Sequence, residues 1–150
     1  MRLPHLPSFS NQPLIFLTAC VAERRPILAN DPAVLTLTNI WKRSADMDGW
    51  FVGRYVIMPD YVHLFVRSSL EAKPLATWIK TWKSLSAREL KTKHNLMPPI
   101  WQRDYFDHFV RSAESYSEKW EYVRNNPVRK NLATHPDEWP HQGEIHFLQF

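Results

Sequence analysis

Tyr122 and Asn126 are two polar side chains that lie four residues apart, just ahead of Pro127. In a helix this spacing places both on one face, one turn apart, and a proline disfavours helical geometry in the residue before it. A phenol can act as a nucleophile that forms a covalent intermediate, and an amide oxygen is a hard ligand suited to Mg²⁺ or Mn²⁺. A partly buried tyrosine beside a helix-ending Asn-Pro pair is the commoner event, so both interpretations stay open at this point.

Tyr61 and His63 form a second candidate pair in the segment 61–67, which alternates in polarity as a half-buried strand does. The aliphatic positions of this strand are predicted to face the core: Val62, Leu64 and Val66. Tyr61 and His63 then point together to the less apolar side, where an imidazole nitrogen can bind a metal or contact a phosphate. A single histidine on a strand is more often structural or simply exposed, and this alternative is also kept.

The elements that must position these side chains follow from the apolar periodicity and the turn residues. The predicted strands are 14–21, 50–58, 61–67 and 105–110, and the predicted helices are 30–48, 74–91 and 112–126. Asn30 or Asp31 can cap the first helix, and Gly49 follows its end. This order predicts an α+β fold, a ferredoxin-like antiparallel sheet with helices on one face plus a C-terminal helix that carries Tyr122. The other face of the sheet needs a cover or a ligand.

Length and cysteine content limit the possible classes of protein. The chain has 150 residues, which suits one domain over 1–150. Cys20 is the only cysteine, so no internal disulfide and no thiolate metal cluster can form. Residues 1–13 hold no apolar run typical of a signal peptide, and the apolar stretches elsewhere are too short to span a membrane. We expect a soluble, cytoplasmic protein.

The net charge of +4 is concentrated in one stretch, from Glu71 to Ile100. This stretch has six basic and two acidic residues, so the rest of the chain is neutral overall. Its helical pattern has one apolar face, made of Leu75, Trp78, Ile79, Trp82 and Leu85. The opposite face carries Lys73, Lys80, Lys83 and Lys91. These lysines are explained equally well by a helix face that is exposed to solvent and by a surface that binds nucleic acid.

Three segments resemble a known family, the REP-associated tyrosine transposases, which belong to the single-tyrosine HUH transposases of the insertion-sequence type. The segments are 54–66, 101–111 and 122–128, and shorter matches near both ends extend the resemblance over nearly the whole chain. The resemblance implies a ferredoxin-like fold that binds hairpins in single-stranded DNA and cuts beside them, in the cytoplasm of a bacterium. The partner would be REP-like hairpins, and the protein would be a monomer or a homodimer.

The resemblance also assigns roles to single residues. Tyr122 matches the nucleophile, His63 the second histidine of a His-hydrophobic-His metal motif, and Asn126 the amide ligand. Tyr61 stands where the first histidine is expected. Because an unperturbed phenol is mostly protonated at neutral pH, we expect a Mg²⁺ or Mn²⁺ cofactor whose binding is weakened. His108 is a possible substitute ligand.

The implied reaction is a phosphoryl transfer in which Tyr122 attacks a DNA phosphate and leaves a 5′-phosphotyrosine linkage and a free 3′-hydroxyl. The alternative is a DNA-binding protein of the same fold whose catalysis is impaired or lost because of Tyr61. A third alternative, an RNA-binding module, has little support because its Lys/Arg-Gly-aromatic-Gly signature is missing. The residues predicted to contact DNA are Lys80, Lys83, Arg88, Lys91, Arg103, His108, Arg111, Arg124 and Arg129.

Overall fold

A computed structural model describes residues 12–150, so the expected lack of a signal peptide falls largely outside the described residues. The strands are β1 (Leu14–Cys20), β2 (Trp50–Ile57), β3 (Tyr61–Ser68), β4 (Phe106–Val110) and β5 (Gln142–Glu144). The helices are α1 (Asp31–Asp48), α2 (Leu75–His94), α3 (Ala113–Arg124) and α4 (Asn126–Arg129). The strands form one antiparallel sheet in the order β4-β1-β3-β2-β5. The predicted α+β, ferredoxin-like sheet is confirmed.

Helix α1 begins and ends where the sequence predicts. The Asn30 side chain accepts a hydrogen bond from the Ala33 backbone N–H at 2.9 Å, so Asn30 is the N-cap. Gly49 ends the helix in the left-handed region, at φ 79°. A Cβ atom at this position would lie 2.7 Å from the Cα of Ala72, so both the dihedral angle and the space require glycine.

One face of the sheet is covered by α1 and α2. The aliphatic side chains of β3 pack there against three buried tryptophans: Trp41, Trp78 and Trp82. The predicted apolar face of α2 is confirmed except at Leu85, which is 36% exposed. The buried stripe passes through Ser86 instead, because the Ser86 hydroxyl accepts a hydrogen bond from the buried indole N–H of Trp101 at 2.9 Å.

The opposite face of the sheet is covered by α3, which supplies the cover that the sequence left unidentified. Tyr116 of α3 packs edge-on against Phe65 of β3, with ring centroids 4.8 Å apart, and Val123 is buried in the same cluster. The C-terminal residues Trp139 and Leu148 complete this second core. The sheet therefore has a core on both faces, and the strand alternation sends His63 to the α3 side.

Two features of the C-terminal part differ from the prediction. The helix predicted over 112–126 stops at Arg124, and Pro127 lies in the first turn of the separate short helix α4. Proline is tolerated there because the first helical turn leaves backbone N–H groups unpaired in any case. Strand β5 was not predicted, since three residues are too short to show alternation. None of the helices within residues 12–150 has the length and apolar character needed to cross a membrane.

Candidate functional site

Tyr122, Asn126, His63 and Tyr61 line a single open pocket of about 490 Å³, which we call the tyrosine pocket. The structure thus brings together the four side chains that the sequence singled out from two distant segments. The remaining lining residues are Thr18, Cys20, Arg24, Arg129 and Lys130. Strand β3 supplies one wall of the pocket, and the junction between α3 and α4 supplies the other.

His63 is held in place by the neighbouring strand. Thr18 lies opposite His63 in the β1–β3 register, and a hydrogen bond of 2.7 Å joins the Thr18 hydroxyl to Nδ1 of the imidazole. Burial lowers the pKa of His63 to about 4, and the positive charges of Lys119 and Arg129 add to this effect. The imidazole is therefore neutral at neutral pH, and its Nε2 makes no hydrogen bond with any described residue.

Tyr61 packs beside His63 as a buried aromatic side chain. The two rings meet edge to face with centroids 4.9 Å apart, and the Arg24 guanidinium lies 5.2 Å from the centroid of the Tyr61 ring. Burial raises the pKa of the Tyr61 phenol, and Asp60 raises it further, although Arg24 and Arg129 oppose the shift. The phenol stays protonated at neutral pH, and a protonated phenol is a poor ligand for a divalent cation.

Asn126 is buried, with 6% of its surface exposed, and its amide oxygen already has a partner. Arg129 donates a hydrogen bond from Nη2 to Asn126 Oδ1 at 2.8 Å. The Nδ2 group of Asn126 is buried and has no partner among the described residues. The oxygen expected to bind a metal thus already accepts a hydrogen bond from a positively charged guanidinium, and the unpaired atom is a hydrogen-bond donor.

Tyr122 is the exposed member of the set, with 60% of its surface accessible. Arg129 lies against it in two ways. The guanidinium carbon is 3.9 Å from the centroid of the Tyr122 ring, a cation–π contact, and Nη2 donates to the Tyr122 backbone oxygen at 2.6 Å. An accessible phenol therefore lies directly beside a fixed positive charge.

The donor set of the tyrosine pocket does not fit a resident divalent cation. The three side chains at the expected ligand positions are the neutral imidazole of His63, the amide of Asn126, whose oxygen accepts from Arg129, and the protonated phenol of Tyr61. The lining residues include three cationic side chains, Arg24, Arg129 and Lys130, and no carboxylate. Within residues 12–150, no group of three or more histidine, cysteine, aspartate or glutamate side chains is arranged to hold a metal ion. The chemistry of this pocket favours an anion.

Residues 13–126 match the sequence model of the family described as Transposase IS200 like. This match covers most of the chain and includes the tyrosine pocket from Thr18 to Asn126. The chain belongs to the IS200-like transposase family. Family membership confirms the resemblance that the sequence motifs indicated.

Relatives of this IS200-like family member include two proteins of Haemophilus influenzae. One is named as a REP-associated tyrosine transposase and is 21% identical over 144 residues, or 90% of this chain and 81% of that protein. The other, an uncharacterised protein, is 45% identical over 29 residues, which is 19% of this chain and 16% of that protein. The second match thus spans less than a fifth of either sequence.

Two solved structures share the fold of this family member. A REP-associated tyrosine transposase bound to a REP hairpin superposes with a TM-score of 0.75 at 16% identity, over 95% of this chain and 80% of that one. A protein of Deinococcus radiodurans described as a transposase gives a TM-score of 0.59 at 21% identity, over 83% of this chain and 97% of that one. At these identities the likeness establishes the fold.

The predicted DNA-contacting residues of this family member do not form one surface. Helix α2 covers the sheet face opposite the tyrosine pocket, so its exposed residues Lys80, Arg88 and Lys91 lie across the sheet from Tyr122. Lys83 is half-buried, and its Nζ donates to the backbone oxygens of Gln102 at 2.9 Å and Asp104 at 3.1 Å. Lys83 therefore joins α2 to the segment before β4. Lys80, Lys83 and Arg103 line a separate groove of about 530 Å³ on that side.

On the side of the tyrosine pocket, Arg124 is paired with carboxylates. Its guanidinium contacts Glu121 at 3.2 Å and Asp137 at 2.6 Å. Arg111 is exposed beside the ring of Phe109. His108 does not line the tyrosine pocket, because it lies opposite Phe16 in the β1–β4 register, two residues along β1 from Thr18. A role for His108 as a substitute ligand gains no support from this placement.

Sequence reasoning missed several residues of the tyrosine pocket. It did not select Thr18, whose contact with His63 depends on strand pairing between distant segments. Arg24 and Lys130 were also missed, since nothing local marks either as a pocket residue. Arg129 was selected only as a DNA contact, although its spacing of three residues from Asn126 is a signal for side-chain contact in a helix.

Proposed function

We propose that this IS200-like family member binds a hairpin in single-stranded DNA, and that Tyr122 cuts and rejoins a strand beside the hairpin. The observation that carries the proposal is the placement of an exposed tyrosine in a pocket with three cationic side chains and no carboxylate. A phosphodiester is the anion that such a pocket would receive. The relative of the same fold that is bound to a REP hairpin supports a hairpin substrate, as does the resemblance in sequence.

The proposed reaction exchanges one phosphate ester for another. The Tyr122 phenolic oxygen attacks the phosphorus, the bond between phosphorus and the 3′-oxygen breaks, and the phenolic proton ends on that 3′-oxygen. The products are a 5′-phosphotyrosine linkage and a free 3′-hydroxyl, and attack by another 3′-hydroxyl reverses the step and rejoins DNA. Neutral His63, held by Thr18, forms the wall of the pocket beside the phosphate. A chromosomal DNA substrate would place this activity in the bacterial cytoplasm.

A second candidate function is hairpin binding without cleavage. The observation that favours it is the poor fit of Tyr61 and Asn126 to the divalent metal that the sequence motif leads us to expect. If the chemistry depends on that metal, the pocket would bind DNA and leave it intact.

The experiment uses a pool of single-stranded oligonucleotides, each with one hairpin and randomised flanks, incubated with Mg²⁺, Mn²⁺ or EDTA. We expect a covalent adduct on a denaturing gel that keeps a dye from the 3′ end of the DNA and loses a dye from the 5′ end. Tyr122→Phe should give no adduct. An adduct that persists in Tyr122→Phe contradicts the proposed nucleophile. Hairpin binding with no adduct in any condition selects the second function.

A further inference from the structure

We propose that the tyrosine pocket binds the scissile phosphate directly through Arg129, assisted by Arg24 and Lys130, with no divalent ion between the protein and the phosphate. The inference deepens the proposed function and rests on it, because it names the groups that hold the anion next to Tyr122. It reverses the expectation of a Mg²⁺ or Mn²⁺ cofactor.

The first step of the argument is the position of Arg129. Its Nη2 group is held by two acceptors, the backbone oxygen of Tyr122 and the amide oxygen of Asn126. Its Nε and Nη1 groups donate no hydrogen bond to any described residue, so they are available to a ligand. Both two-donor faces of a guanidinium include Nη2, so a phosphate oxygen would accept a single charge-assisted hydrogen bond, from Nε or from Nη1. Since the guanidinium carbon lies 3.9 Å from the Tyr122 ring centroid, a phosphate bound to Arg129 would lie beside the Tyr122 side chain.

The second step is the charge of the pocket. Lys130 is exposed at the rim and has no carboxylate partner in the part of the chain that the structure describes. Arg24 is paired with Asp60 at 2.8 Å, so it contributes less net charge than Arg129 or Lys130. No carboxylate forms part of the lining. A divalent cation would have to enter against this positive charge, whereas a phosphate is attracted by it.

The third step is the orientation of the Asn126 amide. Its oxygen is used by Arg129, and its Nδ2 group is a buried donor without a partner in the described residues. A buried donor without an acceptor is costly, and a phosphate oxygen is an acceptor whereas a metal ion is not. The amide therefore contributes a donor where the motif requires a metal ligand.

A guanidinium can replace part of what a metal ion does for phosphoryl transfer. Arginine, lysine and magnesium all stabilise the charge that develops on the phosphoryl oxygens in the transition state. Arg129 is held by two hydrogen bonds before substrate arrives, so it needs little reorganisation to act. We assign to Arg129 contact with the reacting phosphate and to Asn126 the positioning of Arg129.

The test measures phosphate and metal binding separately from cleavage. Inorganic phosphate is titrated into the protein in excess EDTA and followed by ³¹P NMR, and Mn²⁺ is titrated separately and followed by the EPR signal of the free ion. We expect saturable phosphate binding in EDTA that Arg129→Gln weakens about tenfold or more, since it removes a charge-assisted contact. Arg129→Lys, which keeps the charge and loses the guanidinium that Tyr122 and Asn126 hold in place, should give an intermediate affinity.

Arg43→Gln is the matched control, because Arg43 is an exposed arginine of α1 on the other side of the sheet. It should leave phosphate binding unchanged. Circular dichroism and thermal melting check that each Arg129 variant is folded. If Arg129→Gln does not fold, the phosphate affinity of Arg129→Lys decides the test. Phosphate binding that requires Mn²⁺, or that is equal in wild type and both Arg129 variants, would overturn the proposal.

The hairpin assay separates this inference from the proposed function. A Tyr122 adduct that forms in EDTA supports both. An adduct that forms only with Mn²⁺ or Mg²⁺ upholds the proposed function and overturns the inference. Phosphate binding that depends on Arg129, without an adduct under any condition, upholds the phosphate site and contradicts the proposed cleavage.

Discussion

The guanidinium of Arg129 lies 3.9 Å from the centroid of the Tyr122 ring, so the accessible phenol of the tyrosine pocket has a fixed cation as its direct neighbour. The same guanidinium occupies the amide oxygen of Asn126. One side chain thereby joins the two residues that the sequence motif singled out on either side of the α3–α4 junction. This relationship favours an anion in the pocket over a divalent cation.

Removal of the Tyr122 hydroxyl should abolish the covalent adduct and leave hairpin binding within about twofold of wild type. The phenylalanine ring of Tyr122→Phe still accepts the cation–π contact with Arg129, which is worth about 0.5–1 kcal/mol at an exposed site. Fluorescence anisotropy measures hairpin binding, and a denaturing gel measures the adduct. A large loss of hairpin affinity would indicate that the hydroxyl serves binding instead of attack.

Restoring the missing histidine by Tyr61→His should not by itself create a tight Mn²⁺ site. Arg129 would still occupy the Asn126 oxygen and would still repel the ion. The double variant Tyr61→His with Arg129→Gln removes both obstacles, and we expect it to bind Mn²⁺ at least about tenfold more tightly than either single variant. Isothermal titration calorimetry with Mn²⁺ alone provides the comparison. Equal affinity in Tyr61→His and the double variant would mean that Arg129 does not exclude the ion.

The half-buried imidazole of His63 should make the protein less stable as the pH falls from about 6.5 to 4. The pKa of His63 is lowered to about 4 in the folded state, so the unfolded state binds more protons in this range. Stability from this group is fully present above about pH 6.5 and is lost as the pH falls, by roughly 3 kcal/mol near pH 4.

Urea unfolding at several pH values measures the free energy of unfolding of wild type and of His63→Gln. Between about pH 6.5 and 4 we expect the decrease in His63→Gln to be smaller than in wild type by roughly 3 kcal/mol. Subtracting the two curves removes the contributions of other titrating groups, such as His108 and His146. His135→Gln is the matched control, because His135 is largely exposed. Parallel curves for wild type and His63→Gln would show that burial does not suppress protonation of His63.

Lys83 should contribute more to stability than the neighbouring Lys80, although the sequence assigned both to DNA. Its ammonium donates to two backbone oxygens, at 2.9 Å on Gln102 and 3.1 Å on Asp104, whereas Lys80 is exposed. We expect Lys83→Met to lower the free energy of unfolding by about 1–2 kcal/mol and Lys80→Met to change it by less than about 0.5 kcal/mol. Urea denaturation at neutral pH makes the comparison. A similar small change in both variants would restore Lys83 to the DNA-binding set.

The sequence by itself determined the order of elements and the faces of the sheet. The cap at Asn30 and the glycine after α1 are local signals, because each depends on residues within a few positions along the chain. The alternation in β3 likewise placed Tyr61 and His63 on one side of the sheet, and the pattern of α2 placed its tryptophans in the core. Tyr122 was selected from its type and its spacing to Asn126.

Only the tertiary structure decided the chemical character of the tyrosine pocket. Strand register brings Thr18 to His63, and the break between α3 and α4 brings the Arg129 guanidinium to Asn126 Oδ1. These contacts depend on how distant elements pack, and periodicity carries no information about them. The same packing put the lysines of α2 on the far face of the sheet. The resemblance in sequence implied a metal site, and the charges that folding gathers around those residues favour the phosphate site that we propose.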